Sequence, residues 1–169
     1  MRESFPSRPW LLSGIAVSVL LVGLAATIVR IVRHYAVPGT VEASTEGMTD
    51  YHNGLYFPTQ AWMAGDSPYS LEYPQSYPVA RPIPFFSPVI FAIHVPLVLV
   101  PLEASEWLFF GICVAIMFGI AALSLRWAGL VPTFTGLVSV VALMVFSRAG
   151  QATLFNGYFT LQLVLASLL

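Results

Sequence analysis

Residues 11–29 read LLSGIAVSVLLVGLAATIV and contain no charged side chain. A helix that crosses the hydrocarbon core of a bilayer needs about 20 such residues. Only helices and closed barrels satisfy their backbone groups in lipid, and a long run without alternation indicates a helix. We therefore predict a first membrane helix over approximately residues 11–32. A signal peptide is disfavoured because the apolar region exceeds the usual length of about 7–15 residues and no clear cleavage site follows.

The composition of the whole chain agrees with a protein in lipid. Its 169 residues are 57% hydrophobic and 9% charged, with a mean hydropathy of +0.80. A soluble domain is typically about 25% charged, so the deficit indicates a membrane protein. The net charge of −1 argues against nucleic acid as a partner. Cys113 is the only cysteine, which excludes a disulfide within the chain.

Further apolar runs predict further membrane helices over residues 83–102, 106–125, 128–147 and 149–169. The expected fold class is therefore all-α: a polytopic membrane protein with about five transmembrane helices, forming one integral membrane domain over residues 1–169. The last run reaches Leu169 without a polar tail, from which we expect the N-terminal part of a longer protein. The distribution of arginines leaves the orientation open.

A polar segment, residues 34–82, separates the first two predicted spans. It contains five of the eight acidic residues: Glu42, Glu46, Asp50, Asp66 and Glu72. Residues 51–64 predict a short amphipathic helix that Gly65 could cap, and residues 65–69, GDSPY, predict a turn. Asp50 could act as a general base in a sheltered pocket. From spacing alone, a solvated loop acid or a helix N-cap is the simpler interpretation.

Three other polar positions have two interpretations each. Arg81 could bind a phosphate with its planar guanidinium, or could anchor the chain at the membrane interface. Gln151 lies in the last span, where an amide usually joins helices by hydrogen bonds. His94 lies within the second span, where a neutral histidine bonded to a helix carbonyl is simpler than a ligand. No metal-ligand pattern or nucleotide-binding loop is present, so we expect neither a metal nor another cofactor.

The order of several short motifs resembles the C-type membrane glycosyltransferases, and most closely glycosyltransferase family 87. The segments that carry the resemblance are Asp50-Tyr51, residues 60–69 (QAWMAGDSPY), residues 82–88 (PIPFFSP), Pro96-Leu97, Pro101-Leu102 and residues 106–108 (EWL). The tandem Pro-Pro of the family is replaced by Pro82-Ile83-Pro84. The family's later Gly-Gln motif corresponds to Gly150-Gln151 or to the region of residues 156–158. Family members also have several more membrane helices than this chain.

The resemblance implies an inverting transfer of a hexose, as in mannosyltransferases, from a polyprenyl-phosphate-linked donor to a lipid or glycan acceptor. The reaction would take place at the outer face of the cytoplasmic membrane, with residues 34–82 outside. Asp50 would be the general base and Arg81 the cation that stabilises the departing phosphate. Tyr51, Trp62, Tyr69 and Gln151 are the further candidate substrate-binding residues. The alternatives are a non-catalytic membrane scaffold, a transporter component, or an inactive fragment of a glycosyltransferase.

Overall fold

The computed structural model describes residues 9–40, 46–80 and 86–169, and every regular element within these ranges is helical. The all-α class predicted from the sequence is therefore confirmed for this part of the chain. The elements in chain order are α1 Pro9–Arg33, α2 Thr49–Tyr51, a π-helical turn His52–Tyr56, α3 Phe57–Ala64, α4 Tyr73–Ser76, α5 Pro88–Val98, α6 Leu102–Trp127, α7 Phe134–Phe146, α8 Arg148–Asn156 and α9 Thr160–Leu168.

Two helices are long and apolar enough to cross a membrane, over Trp10–Arg33 and Leu102–Trp127. These correspond to the first and third spans predicted from the sequence. The protein is therefore a membrane protein by the length and composition of its helices. The two helices are antiparallel, and we call the end of the bundle at Arg33 and Leu102 the loop end.

α7 and α8 meet at a bend of 76°, and together they are long and apolar enough for a candidate third crossing. Ser147 forms the break. Its backbone is extended, and its Oγ accepts a hydrogen bond of 2.9 Å from the amide of Gly150 at the start of α8. A side chain at Gly150 would collide with the carbonyl of Met144, so the bend requires glycine at this position.

The bent pair runs parallel to α1. The Ser13 and Thr135 hydroxyls are 2.5 Å apart near the start of both helices. Further along, Gln151 Nε2 lies 3.2 Å from Thr27 Oγ1. At the loop end, the Arg30 guanidinium lies 4.0 Å from the centroid of the Phe155 ring. The chain therefore returns to the loop end at the end of α8, and α9 then packs against α6.

The second predicted span differs from the structure. Within residues 83–102 the structure describes one helix, α5, of 11 residues. At about 1.5 Å per residue this is roughly half of a bilayer core. The Phe86 ring packs where a Cβ on Gly54 would lie, and Tyr56 donates a hydrogen bond of 3.0 Å to the Val100 carbonyl. Residues that flank α5 on both sides therefore contact the same helical turn, and α5 alone is shorter than a membrane span.

The last predicted span, residues 149–169, is divided between two helices. α8 ends at Asn156, where Gly157 adopts a left-handed conformation with φ of 77°. α9 begins at Thr160, and its Leu165 lies beside Gly119 of α6. The five separate spans expected from hydropathy thus correspond to two long helices, one bent pair, and two short helices.

Candidate functional site

Asp50 lies in the first turn of a helical segment that continues from Thr49 to Ala64 through the π-helical turn. The segment lies where the sequence predicted a helix, and Gly65 ends it with φ of 86°. Residues 51–53, 55–59 and 61 are buried, so this helix packs into the protein over most of its length. Asp50 itself is half-buried. The N-cap position belongs to Met48, so Asp50 is not an N-cap.

Two neighbouring residues of α6 bind the two residues that follow Asp50. The Tyr51 hydroxyl hydrogen-bonds to Ser105 Oγ, and His52 Nε2 hydrogen-bonds to Glu106 Oε1. All four side chains are buried, and the centroid of the Tyr51 ring also lies 4.6 Å from the centroid of the Phe109 ring. Burial raises the pKa of the Tyr51 phenol, so this hydroxyl keeps its proton at neutral pH. The helix that carries Asp50 is thus fixed to the loop end of α6.

Glu106 receives a second hydrogen bond from the segment after α1. The Tyr35 hydroxyl donates to the same oxygen, Oε1, at 2.6 Å. Burial and this hydrogen bond raise the pKa of Tyr35, which therefore remains a donor. Glu106 is only 3% exposed, and a carboxylate this buried is costly unless it is hydrogen-bonded. Tyr35, His52 and Glu106 therefore form one polar cluster between α1, α6 and the Asp50 helix.

The tautomer of His52 follows from its surroundings. Its Nδ1 atom is buried and has no hydrogen-bond partner among the described residues. A buried N–H without a partner costs more than an unpaired lone pair, so the proton belongs on Nε2, facing the Glu106 carboxylate. Glu106 thus accepts hydrogen bonds from both His52 and Tyr35.

The other side of the Asp50 helix contacts the end of α8. The amide of Met48 donates a hydrogen bond of 2.8 Å to the Phe155 carbonyl. Met48 has φ of 60°, a left-handed conformation that is unfavourable for a residue with a side chain. A Cβ at Gly157 would overlap Tyr51, so glycine allows the two segments to approach. Strained backbone of this kind is concentrated at functional sites.

One face of the Asp50 helix meets the proline-rich segment that follows α4. Asn53 and Gly54 follow Asp50 by three and four residues in the same helical segment. Asn53 Oδ1 accepts a hydrogen bond of 2.7 Å from the amide of Ala80, and Gly54 contacts the ring of Phe86. Both flanks of residues 81–85 therefore contact this turn. Arg81, the predicted phosphate-binding residue, lies outside the described residues.

The remaining candidate residues occupy three different places. Trp62 is 41% exposed near the end of α3. Tyr69 is similarly exposed, and its hydroxyl donates to the Phe86 carbonyl. Gln151 is half-buried and donates from Nε2 to the Val145 carbonyl at 2.8 Å as well as contacting Thr27. In this structure Gln151 joins α7, α8 and α1, as the simpler interpretation of the sequence expected.

Four residues of the site were not predicted from the sequence: Tyr35, His52, Ser105 and Glu106. One signal for Glu106 was present, because it is the only charged residue in the predicted span 106–125. Ionisable residues in membrane helices are rare and usually functional. The partner, His52, is 54 residues away in sequence and could not be paired with it from spacing. No group of three His, Cys, Asp or Glu residues within the described ranges could hold a metal ion.

Comparisons of the chain with protein-family models, with curated proteins and with solved structures found no match.

Proposed function

We propose that the protein is a C-type membrane glycosyltransferase of the family 87 type, with Asp50 as its general base. The observation that carries the proposal is the attachment of the Asp50 helix. Tyr51 and His52, which directly follow Asp50, are held by buried hydrogen bonds to Ser105 and Glu106 of α6. A general base must be held in a defined geometry relative to its substrate, whereas a solvated loop acid needs no such support.

The surroundings of Asp50 also suit a substrate that enters from the membrane. The Asp50 helix lies at the loop end of α1, α6 and α8, where membrane helices give way to polar chain. Ala80 and Phe86, which flank the proline-rich segment with Arg81, contact Asn53 and Gly54, three and four residues after Asp50. A lipid-linked sugar phosphate reaching this part of the helix would meet a carboxylate and, in our proposal, the guanidinium of Arg81.

In the proposed reaction, Asp50 accepts the proton of an acceptor hydroxyl. The hydroxyl oxygen attacks the anomeric carbon from the side opposite the phosphate, and the bond between that carbon and the phosphate oxygen breaks. The polyprenyl phosphate leaves with the bonding electrons, and the configuration at the anomeric carbon inverts. Phosphate is a good leaving group, so a fixed cation can replace an acid catalyst. Arg81 has that role in our proposal.

The exposure of the aromatic side chains decides which of them can contact the substrate in our proposal. Trp62 and Tyr69 are exposed near the loop end and are the aromatic surfaces available to the sugar or lipid. Tyr51 is buried against α6, and we therefore assign it a positioning role. The proposal places residues 34–82 on the outer side of the cytoplasmic membrane, where a polyprenyl-linked donor and a lipid or glycan acceptor meet.

The test is transfer of a radiolabelled hexose from a polyprenyl phosphate to membrane acceptors, using membranes that contain the full chain. We expect Asp50→Asn to reduce transfer by about 10²–10⁴-fold, the usual contribution of a positioned base. The amide has nearly the same size as the carboxylate but does not take up the proton.

Asp66→Asn is the matched control, because Asp66 is an exposed carboxylate in the same segment whose side chain accepts a hydrogen bond from Tyr77. This variant should retain transfer, and both variants should be found in the membrane fraction at equal levels. Full activity of the Asp50→Asn variant would rule out the base. An unmodified chain that transfers no sugar would instead favour a scaffold or transporter role, or an inactive fragment of a glycosyltransferase.

A further inference from the structure

A polar cavity of about 260 Å³ lies beyond the end of α3, in the turns that lead to α4. Three serines, two carboxylates and two tyrosines line it, together with Gly65. Two consecutive turns shape its wall. The amide of Ser70 donates to the Ser67 carbonyl at 3.1 Å, and the amide of Tyr73 donates to the Ser70 carbonyl at 3.4 Å. The polar side chains of this short stretch therefore surround one space.

The cavity is separate from the proposed transfer site, because Asp50 does not line it. Asp50 lies at the start of the helical segment from Thr49 to Ala64, and the cavity lies after its end. At about 1.5 Å per residue this segment is roughly 20 Å long. A small molecule in the cavity therefore does not touch Asp50, and its binding can be measured without any transfer reaction.

Tyr73 supplies a hydrogen-bond donor without a partner at the wall of this cavity. The residue is 2% exposed, and its hydroxyl, the one polar atom of the side chain, is buried with no hydrogen-bond partner among the described residues. Burial and the neighbouring Tyr77 raise the pKa of the Tyr73 phenol, so the hydroxyl keeps its proton. Proteins rarely leave a buried hydroxyl unpaired, so this one indicates a ligand with an acceptor atom.

The lining also decides the charge of the ligand. Asp66 and Glu72 are acceptors and none of the lining residues is basic, so an anion would be repelled. A metal ion is disfavoured, because the described part of the chain contains no group of three His, Cys, Asp or Glu that could hold one. An organic cation has no acceptor for the Tyr73 hydroxyl. The groups therefore match a neutral molecule that both donates and accepts hydrogen bonds.

Tyr77 adds an aromatic surface to the same wall. Its half-buried ring stacks on Tyr73 with 5.1 Å between the ring centroids, and its hydroxyl donates to Asp66 Oδ2 at 2.8 Å. With Asp66 engaged by Tyr77, Glu72 and the serines remain as acceptors for a ligand. An aromatic ring suits the C–H face of a sugar, and carboxylate and serine oxygens suit the hydroxyls at its edge.

We propose that this cavity binds one neutral hexose unit. Tyr73 donates to an oxygen of the sugar, and Glu72 and Ser70 accept from its hydroxyls. A sugar ring carries several hydroxyls in a small volume. This suits a cavity that is several times larger than the roughly 30 Å³ of one water, yet below the range of about 300–1,000 Å³ for pockets that enclose drug-sized ligands. The cavity binds the sugar and takes no part in the proposed transfer at Asp50.

The experiment is a titration of the purified full chain, read by saturation-transfer NMR of the ligand in an uncharged detergent without a sugar headgroup. The probes are methyl α-mannopyranoside, methyl α-glucopyranoside and, as a small peptide-like compound, N-acetylglycinamide. We expect at least one hexoside to bind, and the peptide-like compound to bind at least about fivefold more weakly. No binding of either hexoside, or binding of N-acetylglycinamide that is as tight, would overturn the proposal.

Tyr73→Phe is the decisive variant, because it removes only the hydroxyl. We expect it to weaken hexoside binding by about fivefold or more. Thermal unfolding should show no loss of stability, since a hydroxyl without a partner in the protein has no hydrogen bond to lose. A less stable variant would show that the hydroxyl is bonded within the protein, and unchanged binding would show that it does not contact the ligand. Either result would overturn the proposal.

Tyr158→Phe is the matched control, because Tyr158 loses the same atom outside the cavity. It should bind the hexoside as tightly as the unmodified chain. Glu72→Gln is the second cavity variant and should weaken binding by about threefold or more, because a charged acceptor makes a stronger hydrogen bond than an amide. Equal weakening by Tyr158→Phe would show that the effects do not arise in the cavity, and would also overturn the proposal.

Discussion

The Tyr51 and Ser105 hydroxyls satisfy each other at a position from which water is excluded. Tyr51 is 1% exposed and Ser105 is fully buried. A hydroxyl left without a partner in such a place costs about 1–3 kcal/mol, whereas removing both partners can be nearly neutral. The hydrogen bond therefore fixes the Asp50 helix mainly because any other position of the helix would leave a buried hydroxyl without a partner.

The pair gives a test at the scale of single residues. Ser105→Ala should lower the free energy of unfolding by about 1–3 kcal/mol, because it leaves the Tyr51 hydroxyl buried and unpaired. Tyr51→Phe should cost less, since the small Ser105 hydroxyl can turn to a carbonyl of its own helix. Thermal unfolding in detergent measures both.

The double variant is the control for this pair. Ser105→Ala combined with Tyr51→Phe removes both hydroxyls and should be more stable than Ser105→Ala alone. Strict additivity of the two single effects would mean that the hydroxyls do not interact, and would remove this hydrogen bond from the account of how Asp50 is positioned.

The sequence predicted only part of the candidate site. Asp50 was identified through its motif context, but the residues that hold its helix were not. The hydrogen bonds from Tyr51 to Ser105 and from His52 to Glu106 each join positions that are 54 residues apart. They depend on how α6 packs at the loop end. No spacing rule within one helix contains that information.

The contact between α1 and α7 depends on one small residue. A Cβ at Gly23 would lie 2.8 Å from Phe146 Cε2 and 3.0 Å from Val145 Cγ1. Small residues at such crossings let helix backbones approach closely in lipid. We expect Gly23→Val to destabilise the protein by about 1–3 kcal/mol, the usual cost of overpacking. Thermal unfolding in detergent is again the measurement.

Gly14 provides a matched comparison on the same helix. Nothing lies within 4 Å of a Cβ built at Gly14, so Gly14→Val should change stability by no more than about 0.5 kcal/mol. Equal effects of the two substitutions would show that helix propensity, and not the contact with Phe146, controls the result.

At the scale of elements, hydropathy predicted the positions of the apolar segments better than it predicted the number of membrane-spanning helices. Residues 83–102 contain enough apolar side chains for a span, yet Pro88 starts α5 late and Pro101 precedes α6. What keeps α5 at the loop end is the contact of its flanking residues, Phe86 and Val100, with the π-helical turn. Such contacts are tertiary, so they cannot be predicted from hydropathy averaged over neighbouring residues in the sequence.

The arrangement of the whole molecule predicts which segments lie on each side of the membrane. If α5 does not cross, the chain passes the membrane once in α6, so residues 128–133 lie on the side opposite the polar segment. If residues 83–102 were a separate span, both segments would lie on the same side. The arrangement of the entire chain therefore determines where Leu130 is found.

Single cysteines distinguish the two arrangements, because the native Cys113 is buried in α6 and should react slowly. In intact cells, we expect a membrane-impermeant maleimide to label Ser70→Cys. Leu130→Cys, at a position that is 57% exposed, should react only after the membrane is opened. Labelling of both positions, or of neither, in intact cells would place them on the same side and restore the separate span. Labelling of Leu130→Cys alone would keep α5 from crossing but place the polar segment inside the cell.

The π-helical turn at His52–Tyr56 has a consequence for comparing this chain with others. The amide of Phe57 bonds to the carbonyl of His52, five residues back, so the helix contains one residue more than a regular α-helix would. One residue corresponds to about 100° of rotation about the helix axis. The extra residue therefore changes the direction of Trp62, after the turn, relative to that of Asp50, before it. A chain with a regular helix here would align only with a one-residue gap inside the helix. Without that gap, the residue aligned with Asp50 would face a different neighbour.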